Sequence, residues 1–112
     1  MIKPSFSFFS VNIVFFTVKE GSPSEGELEE LGNDIHAKRK SWVKLARRLG
    51  IEESTITAID AKEEELSEKA YKMLLQWKQA NGSGATYKVL FEALDHRLVN
   101  RTDLAIKYCC ES

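Results

Sequence analysis

Residues 38–50, Lys38-Arg39-Lys40-Ser41-Trp42-Val43-Lys44-Leu45-Ala46-Arg47-Arg48-Leu49-Gly50, decide how this chain is read. At about 100° per residue, Trp42, Leu45, Ala46 and Leu49 fall at offsets of 0, 3, 4 and 7 and make one apolar face. Lys44, Arg47 and Arg48 fall on the opposite face with no acid among them. Gly50 follows where a residue of positive φ commonly ends a helix. The stretch therefore predicts a short helix with an anchor side and a basic side.

The neighbouring segments supply the core for that anchor. Upstream, Ser24-Glu25-Gly26-Glu27 has the spacing of a capping box, and Leu28, Leu31 and Ile35 recur behind it at helical intervals. This first helix is expected to break near Gly32-Asn33. Downstream, Ile51, Ile56 and Ile59 define a third helix, with Glu52 and Glu53 where the positive end of its dipole favours acids. A fourth and longest one has the stripe Leu66, Ala70, Met73, Leu74 and Trp77, with Ser67 as its cap. It stops at Asn81-Gly82-Ser83-Gly84. Thr86 caps a fifth, with the stripe Tyr87, Leu90, Phe91, Leu94 and Leu98. Asn100 or Thr102 opens a sixth, with Leu104, Ala105 and Tyr108 turned inward. Six amphipathic helices on short loops, without an internal repeat, predict an all-α antiparallel bundle. Trp42 and Trp77 are expected in its core.

The totals fit one domain. A chain of 112 residues buries roughly 60–65% of its unfolded surface, enough for a modest core without staples. With 16 basic and 17 acidic residues, no bulk field argues for nucleic acid. The distribution is less even. Residues 38–48 hold six basic residues and no acid, while Glu52 to Glu68 hold seven acids against Lys62 alone. That places one pole of each sign on neighbouring elements. Cys109 and Cys110 are adjacent, which is no disulfide framework, and two free thiols fit a reducing compartment.

Residues 1–23 differ from the rest and are assigned to no domain. Phe6 to Val18 is an apolar, aromatic run of 13 residues, short of the roughly 20 that a membrane span needs. Lys3 followed by that run has a signal-peptide outline, but the cleavage site is poor. A β-strand is locally plausible, yet one strand has nothing to pair with in an otherwise helical chain. The open readings are a packed extension, a targeting or membrane-proximal segment, and a self-association element. Ser22 to Gly26 marks the boundary, with the domain proper at 24–110.

Chemistry finds little support. His36 and His96 are the only histidines, 60 positions apart, and no CxxC is present, so no metal spacing exists. Gly82-Ser83-Gly84 follows a helix and lacks the phosphate-loop lysine. The basic helix raises nucleic-acid binding as an alternative, but it has no Asn, Gln or Ser on its polar face to read base edges. The acidic segment beside it would also repel phosphate. A thiol enzyme built on Cys109 or Cys110 lacks every local signature. No cofactor is expected. A surface for another protein remains, where opposite charges set orientation and partner choice more than affinity.

Three segments in order resemble a death domain, the six-helix module of apoptotic and inflammatory signalling. They are Ser41-Trp42-Val43-Lys44-Leu45-Ala46-Arg47-Arg48-Leu49-Gly50, then Ile56-Thr57-Ala58-Ile59-Asp60, then Lys69-Ala70-Tyr71-Lys72-Met73-Leu74-Leu75-Gln76-Trp77 ahead of Gly84-Ala85-Thr86, Leu90 and Leu94. They are similar to segments of the death domains of the Fas-associated adaptor, receptor-interacting kinase and ankyrins. The likeness covers Leu28 to Cys109. Two features depart from the family: the compressed first helix before basic Lys38 to Lys40, and the apolar start. The resemblance implies a non-enzymatic, cytoplasmic module that associates with other death-domain proteins, itself included, through asymmetric charged contacts. It places Arg47 at the second-helix interface arginine of the Fas-associated adaptor, and Asp103 at the aspartate opening that adaptor's last helix. Lys44 and Arg48 share the exposed face with Arg47. Asp60, Glu63 and Glu64 are acidic candidates on charge placement alone. The alternatives are the cytoplasmic death domain of a membrane receptor, or a helical nucleic-acid binder.

Overall fold

A computed structural model describes residues 16–35 and 41–111. The readings of Phe6 to Phe15, of His36 and of Lys38 to Lys40 lie outside those residues. The chain runs β1 (Thr17–Val18), α1 (Glu25–Ile35), α2 (Ser41–Arg48), α3 (Glu53–Lys62), α4 (Leu66–Asn81), a 3-10 turn at Gly82–Gly84, α5 (Tyr87–Asp95), α6 (Thr102–Cys109) and β2 (Cys110–Glu111). All six expected helices form. α4 is the hub, with α1, α2 and α3 against it, while α6 packs on α5 and α1.

The expected stripes close into one core. Leu28, Leu31 and Ile35 of α1 meet Trp42, Leu45 and Ala46 of α2, Ile56 of α3 and Ala70, Met73, Leu74 and Trp77 of α4. Trp42 and Trp77 are 2% and 1% exposed. Full burial of such side chains contributes several kcal/mol each, so these residues hold the bundle together. The capping box forms as spaced. The Ser24 backbone N–H donates to Glu27 Oε1 at 2.9 Å, and the Glu27 N–H donates to Ser24 Oγ at 3.1 Å. Thr86 caps α5 by accepting from Val89 N–H at 3.2 Å. At Gly50, φ of +83° closes α2, and the Ile51 N–H reaches back to the Ala46 carbonyl at 3.0 Å.

Several local expectations are corrected. α1 does not break at Gly32-Asn33 but runs to Ile35. Gly32 is a contact glycine: a Cβ there would lie 3.0 Å from the Tyr71 backbone nitrogen and 3.3 Å from the Ser67 carbonyl oxygen. Its lack of a side chain lets α4 approach, which outweighs its poor helix propensity. Ser67 is no cap, because α4 begins one residue earlier with Glu65 in the capping position and no side-chain cap bond. α5 ends at Asp95, so Leu98 leaves the stripe and stands 48% exposed, while Val99 takes the buried place. Asn100 opens no helix. It adopts φ of +57°, a conformation that asparagine tolerates better than most residues, and α6 starts at Thr102.

The end of the apolar run does find a partner strand. Thr17 and Val18 pair antiparallel with Glu111 and Cys110. The following residues strap onto the bundle. Lys19 N–H donates to the Cys109 carbonyl at 2.8 Å, Tyr87 N–H to the Gly21 carbonyl at 2.9 Å, and Lys78 Nζ to the Pro23 carbonyl at 2.6 Å. Pro23 is fully buried. Both ends of the described chain are thereby held side by side.

Candidate docking site

The basic face of α2 exists because Trp42, Leu45 and Ala46 turn inward and force their neighbours out. Lys44 is exposed and has no ion-pair partner among the described residues. Arg47 meets Glu53 of α3 across the Gly50 turn, with Nε 2.7 Å from Oε2 and Nη2 3.4 Å from Oε1. The Arg47 hydrogen bond holds the Glu53 carboxyl below its ordinary range, and that carboxylate raises the Arg47 guanidinium in turn. Arg48 Nη1 lies 3.4 Å from His96 Nε2. The Leu98 N–H already points at His96 Nδ1, 3.0 Å away. A neutral imidazole accepts at only one nitrogen, so only one of these two approaches is a hydrogen bond.

The sequence-predicted acids occupy different places. Asp60 binds Lys69 Nζ of α4, and that lysine is only 16% exposed. Glu63 is half-buried just past α3, where its N–H donates to the Ile59 carbonyl at 3.0 Å. Glu64 is exposed beside it. These three lie at the far end of α3 from the Arg47–Glu53 pair, about 10–15 Å along the helix at 1.5 Å per residue. Asp103 stands in the first turn of α6 and accepts two bonds from Arg101, both at 3.1 Å. The Arg101 hydrogen bonds hold its carboxyl below the ordinary range. The structure thus gathers the cations on one face and splits the acids into two groups.

A further acidic surface escaped the sequence reading. α1, α4 and α6 surround an open cleft of about 390 Å³ whose lining includes Glu29, Glu30, Asp34, Glu68, Tyr71 and Lys107. Asp34 Oδ2 accepts from Lys107 Nζ at 2.8 Å and from Tyr108 OH at 2.6 Å. These two hydrogen bonds hold the Asp34 carboxyl low, while burial, with Asp34 beside it, pushes the Tyr108 hydroxyl up to about 12. Glu29, Glu30 and Glu68 have no ion-pair partner among the described residues, leaving three uncompensated carboxylates at the rim. Their positions lie up to 39 apart in the chain (68 − 29), so no local signal joins them. Arg47 and Glu53 are only six apart across a glycine turn, and that spacing was a usable signal.

A family model for the death domain matches residues 25–107. The chain belongs to the death-domain family. Comparison with curated proteins and with solved structures found no match. The death domain is a non-enzymatic protein-interaction module that pairs with other death folds, and the six-helix bundle is that architecture. Burial pushes the Cys109 thiol up to about 12 and raises that of Cys110, opposite to the lowered pKa of a nucleophilic cysteine. Among the described residues no helix is long and apolar enough to cross a membrane, and no group of three or more ligating side chains is placed to hold a metal.

Proposed function

We propose that this death domain acts in the cytoplasm as an adaptor, docking the basic α2 face of Lys44, Arg47 and Arg48 onto an acidic face of another death domain. The association recruits effectors for apoptotic or NF-κB-type signalling. The observation that supports it is the one-sided charge of α2: three exposed cations stand over a fully buried apolar face, and among the described residues Glu53 is the acid that pairs with one of them. Partners choose such a surface by charge and orientation, with affinity contributed elsewhere in the contact. Basic and acidic faces on one molecule make a heterologous contact, which propagates head to tail into open assemblies.

Two acidic faces qualify as the counterpart. Asp60, Glu63 and Glu64 sit at the end of α3, though Asp60 already answers Lys69. The cleft of Glu29, Glu30 and Glu68 presents three carboxylates with no ion-pair partner among the described residues. Asp103, tied to Arg101, contributes at a third point on α6. Arg47→Glu should abolish capture of a death-domain partner in a pull-down while the protein keeps its circular dichroism spectrum and unfolding midpoint. Equal capture by Arg47→Glu and wild type would sink the docking idea. Because these contacts are solvent-exposed, raising salt should weaken capture as well.

A further inference from the structure

Of the three cations on the α2 face, the central one is already engaged. We propose that Glu53 is an internal competitor for Arg47, a built-in acid that an incoming partner must displace or tolerate, and that it sets how acidic a partner must be to dock. This inference rests on the docking function proposed above and concerns the regulation of that same face.

The geometry makes the pair a designed contact of the α2–α3 corner. Arg47 lies in the last turn of α2 and Glu53 in the first turn of α3. The connection between them is short and tied down. Leu49 N–H bonds to the Leu45 carbonyl, Gly50 N–H to that of Arg47 and Ile51 N–H to that of Ala46, while Thr55 and Ile56 bond back to Glu52. Glu53 also stands where the positive end of the α3 dipole favours a carboxylate. Its charge is therefore held in place by the backbone as well as by Arg47.

The pairing is open to competition. The side chains are 49% and 65% exposed, so water and salt reach both and the link is weak. One contact is short and the other long, at 2.7 and 3.4 Å. A guanidinium has five N–H donors, so three remain for a second carboxylate. A partner acid that takes them comes within a few ångströms of Glu53 and is repelled by it. Lys44 has no such guard among the described residues, and Arg48 faces an imidazole in place of an acid. Glu53 therefore lowers the pull of the face at its centre, and weakly acidic surfaces fail to hold there.

The test uses the full chain and a fluorescent deca-glutamate peptide as the acidic probe, titrated by anisotropy at low ionic strength. Glu53→Gln keeps the shape of the side chain and removes the charge. Its affinity for the peptide should rise about two- to fivefold over wild type, the range that loss of an exposed charge contact corresponds to, and its salt dependence should steepen. Glu53→Gln binding no tighter than wild type, or more weakly, overturns the competitor role; weaker binding would make Glu53 a residue that positions Arg47. Arg47→Glu binding the peptide as wild type does would instead overturn the docking function. Thermal unfolding of each variant excludes loss of fold as the source of any change.

Discussion

The seam between α1 and α4 and the corner between α2 and α3 are built by opposite means. At the seam, backbone meets backbone through Gly32, with Leu28, Leu31 and Ala70 fully buried beside it. No charge is needed there, and shape decides everything. At the corner, two exposed side chains meet across a glycine turn, and charge decides the contact. A close-packed seam cannot change by one methylene without strain, whereas an exposed ion pair can open at little cost. The difference teaches where this death domain can be altered: the seam specifies the fold, and the corner can change without disturbing the core.

Substitutions should separate the two regions, and the largest effect belongs to the seam. Leu31→Ala should lower stability by about 2–5 kcal/mol, the range for emptying a fully buried leucine site, read as a shift in urea midpoint. Gly32→Ala comes next. Alanine would favour the helix by about 1 kcal/mol, but its Cβ meets the Tyr71 and Ser67 backbones, which cannot swing away. Overpacking of this kind costs about 1–3 kcal/mol, so the variant should be less stable than wild type; a gain in stability would show that the seam has slack. Arg47→Glu and Glu53→Gln at the corner should leave the unfolding midpoint where it is, and show themselves only in binding.

The smallest effect is a pH dependence where α1 meets α6. Asp34 of α1 holds Lys107 and Tyr108 of α6, and those bonds depress its carboxyl below the ordinary 3.8. A depressed folded pKa contributes stability that is present above the unfolded value and is lost as pH falls through the folded one. Asp34→Asn should therefore be slightly less stable than wild type at neutral pH, with the gap narrowing as pH drops below about 4. A gap that stays constant down to about pH 2 would show that the carboxylate charge contributes nothing.

Much of this was readable in advance, for identifiable reasons. Helical stripes are local: Trp42, Leu45 and Ala46 lie within five residues, so a wheel finds their face without knowing what covers it. The Ser24–Glu27 capping box and the Thr86 cap are equally local. Leu98 failed because periodicity carries on past the helix end at Asp95, where His96 leaves the helical backbone conformation. Gly32 failed because a glycine within a helical pattern signals a break and a close contact alike, and the two differ only in what lies opposite. The β1–β2 pairing joins Thr17 to Glu111 across nearly the whole chain, beyond the reach of any window.

The same division holds for the docking surfaces. Sequence alone determined that α2 has a basic side, because burying Trp42 and Leu45 leaves Lys44, Arg47 and Arg48 no other place to go. Tertiary structure decided how much of that charge is free. It laid Glu53 against Arg47 by turning the chain at Gly50, set Lys69 on Asp60, and drew Glu29, Glu30 and Glu68 from two helices to one cleft. Helical periodicity sorts side chains by angle about one axis, whereas the field of a surface depends on distances between axes, and only packing sets those.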